Sequence, residues 1–147
     1  MSTLLAHLTK ERSAVDAFLE LLDHEAEALI KGDFASMPGL TERKEQLADR
    51  IAKLDDERER QLAALGFSVD RSGADAAAAA GGESLQQAWQ QLLECAAQAR
   101  SRNNRNGVLI HTHLDYTRQS INFLRASAQS LYGPDGKHKA ELGNVNS

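Results

Sequence analysis

Aromatic residues, prolines and cysteines are scarce in this chain. Of its 147 residues 5% are aromatic, two are proline and one is cysteine. Because Cys95 is alone, the chain has no internal disulfide, which is typical of proteins of the reducing cytosol. No apolar run approaches the ~18 residues that a membrane-spanning helix needs. The sequence therefore predicts a cytoplasmic protein without a membrane span.

The residue patterns of common catalytic and cofactor sites are also missing. A di-iron helical bundle places a histidine three residues after a glutamate, and no glutamate here is followed in that way. No glycine-rich phosphate loop, nucleophile elbow or zinc signature occurs. The formal net charge of −4 argues against nucleic acid as the main partner. We predict a protein that is not an enzyme and that uses no metal or other cofactor.

The pattern that is present is the heptad repeat of apolar residues. In the first segment Leu8, Val15, Leu22 and Leu29 recur every seven residues, and similar rows follow in two later segments. This spacing predicts helices at about 2–31, 34–66 and 84–132, with Gly32 as a left-handed stop to the first. We expect an all-α fold, an elongated antiparallel three-helix bundle resembling a coiled coil, with a long third helix.

The regions between and after these helices have a different composition. Residues 67–83 contain serine, glycine and an alanine run, and alanine alone gives a helix no apolar face to bury. We interpret 67–83 as a mobile linker within a single helical domain, 1–132. Residues 133–147 are polar and rich in glycine and asparagine, which predicts a disordered C-terminal tail.

A polar patch interrupts the third helix. Asn103 and Asn106 fall on the heptad rows where apolar residues are expected, and Gly107 follows. Buried asparagines that pair within a bundle fix its register, and glycine inside a helix costs about 1 kcal/mol relative to alanine. A role in register and packing is favoured, with close helix approach or a kink at the glycine. Direct contact with a partner is the alternative.

The end of the third helix is the predicted partner-binding region. The third helix is longer than the hairpin that would cover it, so apolar side chains near its end, such as Leu124 and Leu131, should stay uncovered. Tyr132 follows, in front of turn-forming residues that include Gly133, Asp135 and Gly136. Tyr132 is either a cap that closes the bundle or an aromatic anchor for a partner.

The same motifs resemble those of FlgN-type flagellar export chaperones. The matching stretches are Leu22-x-x-Glu25-x-x-Ala28-Leu29-x-x-Gly32-Asp33, Lys44-Glu45-x-Leu47, Asn103-x-x-Asn106-Gly107-x-Leu109-Ile110 and Tyr132-Gly133-Pro134-Asp135-Gly136. Their order and spacing cover almost the whole chain.

This resemblance implies a specific task. Such chaperones bind the helical termini of the hook–filament junction proteins, FlgK and FlgL, in the cytosol and prevent their premature assembly. They then deliver this cargo to the flagellar export gate, and the resemblance implies that Tyr132 and the turn after it reach that gate. A self-associating helical scaffold is the alternative function, and a homodimer is left open.

Overall fold

The chain folds into four α-helices within the residues that the structure describes. The computed structural model describes the backbone of residues 1–131, and the side chains of all of these except residues 116, 117, 123 and 127–131. The helices are α1 (Ser2–Lys31), α2 (Met37–Ala64), α3 (Arg71–Ala80) and α4 (Glu83–Leu131), with a 3₁₀ turn at Phe34–Ser36 between the first two. No strand occurs in residues 1–131. The all-α prediction is confirmed, with one helix more than expected.

A glycine ends α1, as its position in the sequence predicts. Gly32 has φ of 73° and ψ of 23°, and its N–H group points to the carbonyl groups of Ala28 and Leu29. This left-handed conformation carries little steric cost in glycine because it lacks a Cβ atom. Pro38 lies in the first turn of α2, where its missing N–H group would have had no helical partner. Together these residues turn the chain so that α2 packs back along α1.

The other two long helices run in opposite directions along α1. Antiparallel packing of α1 and α2 brings Lys44 Nζ to 3.3 Å from Glu25 Oε1 near the turn. Near the other end of the hairpin, His7 Nε2 lies 2.7 Å from the Leu54 carbonyl oxygen. By contrast α4 runs parallel to α1. Three hydrogen bonds join residues that are each 79 positions apart: Arg12 to Gln91, Cys95 to Asp16, and Arg102 to Asp23.

The hydrophobic core draws on all four helices. It consists of Leu4, Leu8, Val15, Leu19 and Leu22 from α1, Leu62 from α2, Ala74, Ala77 and Ala78 from α3, and Leu85, Trp89, Leu92 and Ala99 from α4. The heptad row that runs from Leu85 through Leu92 and Ala99 to Asn106 is buried at every position. That row is therefore the seam along which α4 packs against the rest of the fold.

The segment predicted as a linker contains α3, so the prediction of an unstructured 67–83 is wrong. Asp70 caps this helix by accepting a hydrogen bond from the Gly73 N–H group at 2.9 Å. Ala74, Ala77 and Ala78 are all buried in the core. Alanine gives a weak hydropathy signal, but its small side chain allows the backbone of α3 to pack closely against its neighbours. Tertiary packing thus stabilises a ten-residue helix that would be marginal alone.

The chain divides into two compact units at Asn106 and Gly107. The first unit, residues 1–106, contains the core described above, and α4 contributes its first half to it. The second unit begins at Gly107, and α4 runs through its described part. The division does not fall at residue 132, the domain boundary expected from the sequence.

Candidate functional site

A buried asparagine closes the core of the first unit. Asn106 is fully buried. Its Nδ2 group donates hydrogen bonds to the Leu22 carbonyl oxygen at 2.7 Å and to Glu25 Oε1 at 2.9 Å. Glu25 is 3% exposed and also accepts a hydrogen bond from Lys44 Nζ. One polar contact therefore links α4, α1 and α2, which is the geometry that a register-setting residue needs.

The other two members of the polar patch are placed differently. Asn103 is exposed, so it does not lie on the buried seam as the heptad row predicted. Gly107 is half-buried, and a Cβ atom built on it would meet nothing within 4 Å among the described residues. Close helix approach therefore does not require glycine at this position.

A second group of buried polar residues lies nearer the start of the hairpin. Glu11 is 2% exposed, and its Oε2 atom accepts a hydrogen bond from Arg58 Nη1 at 2.5 Å. His7 Nε2 lies 3.2 Å from Glu11 Oε1, but it is closer to the Leu54 carbonyl oxygen, at 2.7 Å. Because one N–H group points to that carbonyl, Glu11 Oε1 has no hydrogen bond within the part of the chain described.

Burial of Glu11 changes its acidity. Loss of solvation raises the pKa of its carboxyl group from 4.5 to about 8, against the opposing charge of Arg58. The neighbouring Asp55 carboxylate adds to this rise in pKa. The Arg58 guanidinium carbon lies 5.4 Å from the centre of the Trp89 ring, and Trp89 Nε1 donates to Asp75 Oδ1 at 2.7 Å. These contacts connect all four helices, and we assign them a structural role.

These buried acids were missed in the sequence, although a signal was present. Glu11 and Glu25 occupy the same heptad row as Leu4 and Phe18, so they fall inside the apolar stripe of α1. A charged residue at such a position has to be paired when the stripe is buried. The row therefore predicts buried carboxyl groups that need polar partners in the fold.

The second unit carries an exposed apolar strip. It consists of Ile110, Leu114, Ile121 and Leu124, which share one face of α4 at helical spacing. The exposed fractions of Leu114, Ile121 and Leu124 are 53%, 42% and 65%, and Ile110 is half-buried. Exposed apolar side chains that line up along one helix face are typical of a protein-binding surface. We call these four residues the α4 strip.

Comparison with known proteins identifies the family. The FlgN protein family matches residues 1–140 of the chain. The chain belongs to the FlgN family. Two relatives are each called "Flagella synthesis protein FlgN", one from Yersinia enterocolitica serotype O:8 / biotype 1B (strain NCTC 13174 / 8081) and one from Yersinia enterocolitica. Each is 27% identical to the chain over 139 residues, which cover 92% of this chain and 89% of the relative. No solved structure matches the chain.

In this FlgN-family chain the residues predicted to bind partners lie in the last two turns of α4 and directly after it. Leu124 is exposed as part of the α4 strip. Leu131 ends α4, but its side chain is outside the described residues, as are Tyr132, Gly133, Asp135 and Gly136. Their partner-binding roles stay predictions.

No group of three or more histidine, cysteine, aspartate or glutamate side chains within residues 1–131 has the arrangement of a metal site. Within the same part of the chain, none of the helices combines the length and the apolar character that crossing a membrane requires.

Proposed function

We propose that this chain is a cytosolic flagellar export chaperone, not an enzyme, that binds the helical termini of the hook–filament junction proteins FlgK and FlgL. It keeps these termini from assembling early and delivers the cargo to the export gate. Membership of the FlgN family supports this proposal, as do the relatives named as flagella synthesis proteins. The observation that carries it is the exposed α4 strip in a member of that family.

The strip suits a helical ligand. Its side chains span about four turns of α4, so a second amphipathic helix could pack its own apolar face along them. Arg118 and Arg125 are exposed four residues after Leu114 and Ile121, and such pairs lie on the same side of a helix. A cargo helix with acidic residues beside its apolar face would complement this surface. Binding should then weaken as salt is added.

The chain offers a matched pair of variants to test the strip. Leu124 and Val108 are each 65% exposed, and their separation of 16 residues places them about 160° apart around α4, at ~100° per residue. Leu124→Glu puts a charge on the strip, whereas Val108→Glu puts it on the opposite face. We expect Leu124→Glu to weaken binding of FlgK and FlgL at least tenfold in a titration with purified cargo, and Val108→Glu to leave it unchanged. Equal effects of the two variants would reject the strip as the cargo site.

The role of the residues after the helix needs a separate test. The full chain and a chain ending at Leu131 are compared for binding to cargo and to the export gate. We expect the shortened chain to lose gate binding, since Tyr132 and the turn after it are removed. If both interactions are unchanged, the proposed role of these residues is wrong. A stable oligomer that buries the strip, seen by analytical ultracentrifugation at all concentrations, would favour the scaffold function instead.

A further inference from the structure

A groove runs between α1 and α2, and no residue of α4 lines it. It has a volume of about 390 Å³, and all its lining residues belong to these two helices. Ala17 and Leu21 of α1 and Leu47 of α2 supply its apolar part. The side chains of α1 that bond to α4, including Asp16 and Asp23, are not among the lining residues. The groove therefore shares no residue with the α4 strip.

The rim of the groove is basic, although the chain as a whole is acidic. Arg43 and Arg50 line the α2 side, and both are exposed. Within residues 1–131 neither of them forms an ion pair; Arg12, Arg58, Arg71, Arg102 and Arg105 do, and Arg60 and Arg100 do not. Across the groove lie Glu20 and His24. Glu20 is the one acidic residue of the lining, so the two unpaired arginines leave the groove positively charged.

The spacing of the two arginines determines what would complement them. They are seven residues apart on one helix, which separates them by about 10.5 Å along its axis at ~1.5 Å per residue. Two carboxylates seven residues apart on another helix have the same separation. On the α1 side the lining runs from Ala17 to His24, which are also seven positions apart, so the groove is a trough about two helical turns long.

We propose that this groove binds an acidic amphipathic helix of a partner protein. Two carboxylates of that helix, seven residues apart, pair with Arg43 and Arg50, and small apolar side chains between them contact Ala17 and Leu47. Docked in this way, the helix lies along the trough between α1 and α2. Arginine pairs well with carboxylates because its planar guanidinium group donates two parallel hydrogen bonds.

A second copy of this chain fits the groove less well. When a two-fold axis relates two antiparallel helices, each row of side chains on the flank of the contact faces the same row of the other copy. If two copies docked through α2 in this way, Arg43 and Arg50 of one copy would face the same two arginines of the other copy. Like charges placed opposite one another oppose such a contact.

The test uses the full chain and a defined peptide. The probe is a fluorescently labelled 18-residue helical peptide with two glutamates seven residues apart and alanine and leucine between them. Binding is followed by fluorescence anisotropy. The charge-reversal variant Arg43→Glu/Arg50→Glu is compared with Lys10→Glu/Lys53→Glu, which makes the same change in net charge at exposed positions outside the groove. All chains in this comparison also carry Leu124→Glu, because Arg118 and Arg125 flank the α4 strip at the same seven-residue spacing and the strip would otherwise bind the peptide as well.

We expect the arginine double variant to weaken peptide binding at least tenfold relative to the chain with Leu124→Glu alone, while the lysine double variant stays within twofold of it. A peptide with lysines in place of the two glutamates should not bind. Equal weakening by the two double variants would overturn the proposal, because it would indicate unspecific attraction. Absence of peptide binding to the chain with Leu124→Glu alone would overturn it by placing the peptide on the α4 strip. Concentration-dependent self-association that only the arginine variant abolishes would overturn it in favour of a second copy.

Discussion

Replacing Asn106 with alanine should destabilise the fold by several kcal/mol, since the residue is fully buried. The substitution removes the hydrogen bond to the Glu25 carboxylate, and bonds to charged groups contribute about 1.5–3 kcal/mol. It also removes the bond to the Leu22 carbonyl oxygen, for about 1 kcal/mol more. The hydrogen bond from Arg105 to Asn106 Oδ1 joins neighbours in the sequence, and we assign it no contribution to the free energy of unfolding. The expected loss in the free energy of unfolding is therefore about 2.5–4 kcal/mol.

Urea unfolding followed by circular dichroism measures this loss. Asn103 provides the control because it belongs to the same helix and the same residue type but is exposed. Asn103→Ala should change the free energy of unfolding by less than about 0.5 kcal/mol, as is usual at exposed sites. If both variants unfold at the same urea concentration, Asn106 does not stabilise the fold through its buried hydrogen bonds.

Three further predictions concern other parts of the first unit. The folded chain keeps a proton on Glu11 up to a pH of about 8, whereas the unfolded chain releases it near 4.5. The contribution of this protonated group to the free energy of unfolding is therefore fully present below pH 4.5. That contribution is lost as the pH rises to about 8. In urea unfolding across this range, the free energy of unfolding of the unaltered chain should therefore fall relative to that of Glu11→Gln. If the two free energies change with pH in parallel, this reasoning is wrong. Gly73→Ala should lower the melting temperature, because the added Cβ atom would overlap the carbonyl group of Ser68. Gly39→Ala is the control: its Cβ atom would meet nothing within 4 Å, so the melting temperature should rise or stay unchanged. The hydrogen bond from Trp89 is the main cause of the lowered pKa of Asp75, so Trp89→Phe should raise that pKa toward its usual value in an NMR titration, and an unchanged value would exclude this cause.

The sequence was sufficient to predict the long helices and the main seam. Heptad spacing identified α1, α2 and α4, and glycine chemistry identified the end of α1. The short α3 was missed because its burial depends on where Ala74, Ala77 and Ala78 meet the other helices. Periodicity within a run of identical small residues gives no information on which of them are buried. Only the packed fold distinguishes these alanines from their exposed neighbours.

The two asparagines show a second limit of sequence reasoning. Asn103 and Asn106 occupy two adjacent heptad rows of α4, and both rows begin with large apolar residues, Trp89 and Leu85. A straight helix of 3.6 residues per turn drifts by about 20° per heptad, so a row that starts in the core need not stay there. The row from Leu85 remains buried as far as Asn106, while the row from Trp89 is exposed at Asn103. The direction of drift depends on the packing of α4 against α1, which heptads alone do not reveal.

The parallel arrangement of α1 and α4 has a consequence for synthesis of the chain. On the ribosome α2 follows α1 after one short turn, but the residues of α4 that bond to α1 come 79 positions later. At about 5–20 residues per second, the ribosome needs roughly 4–16 s to add them. During this interval the face of α1 that carries Leu8, Val15 and Leu22 lacks its α4 partners. The growing chain therefore passes through a stage at which it has an exposed apolar surface of its own to protect.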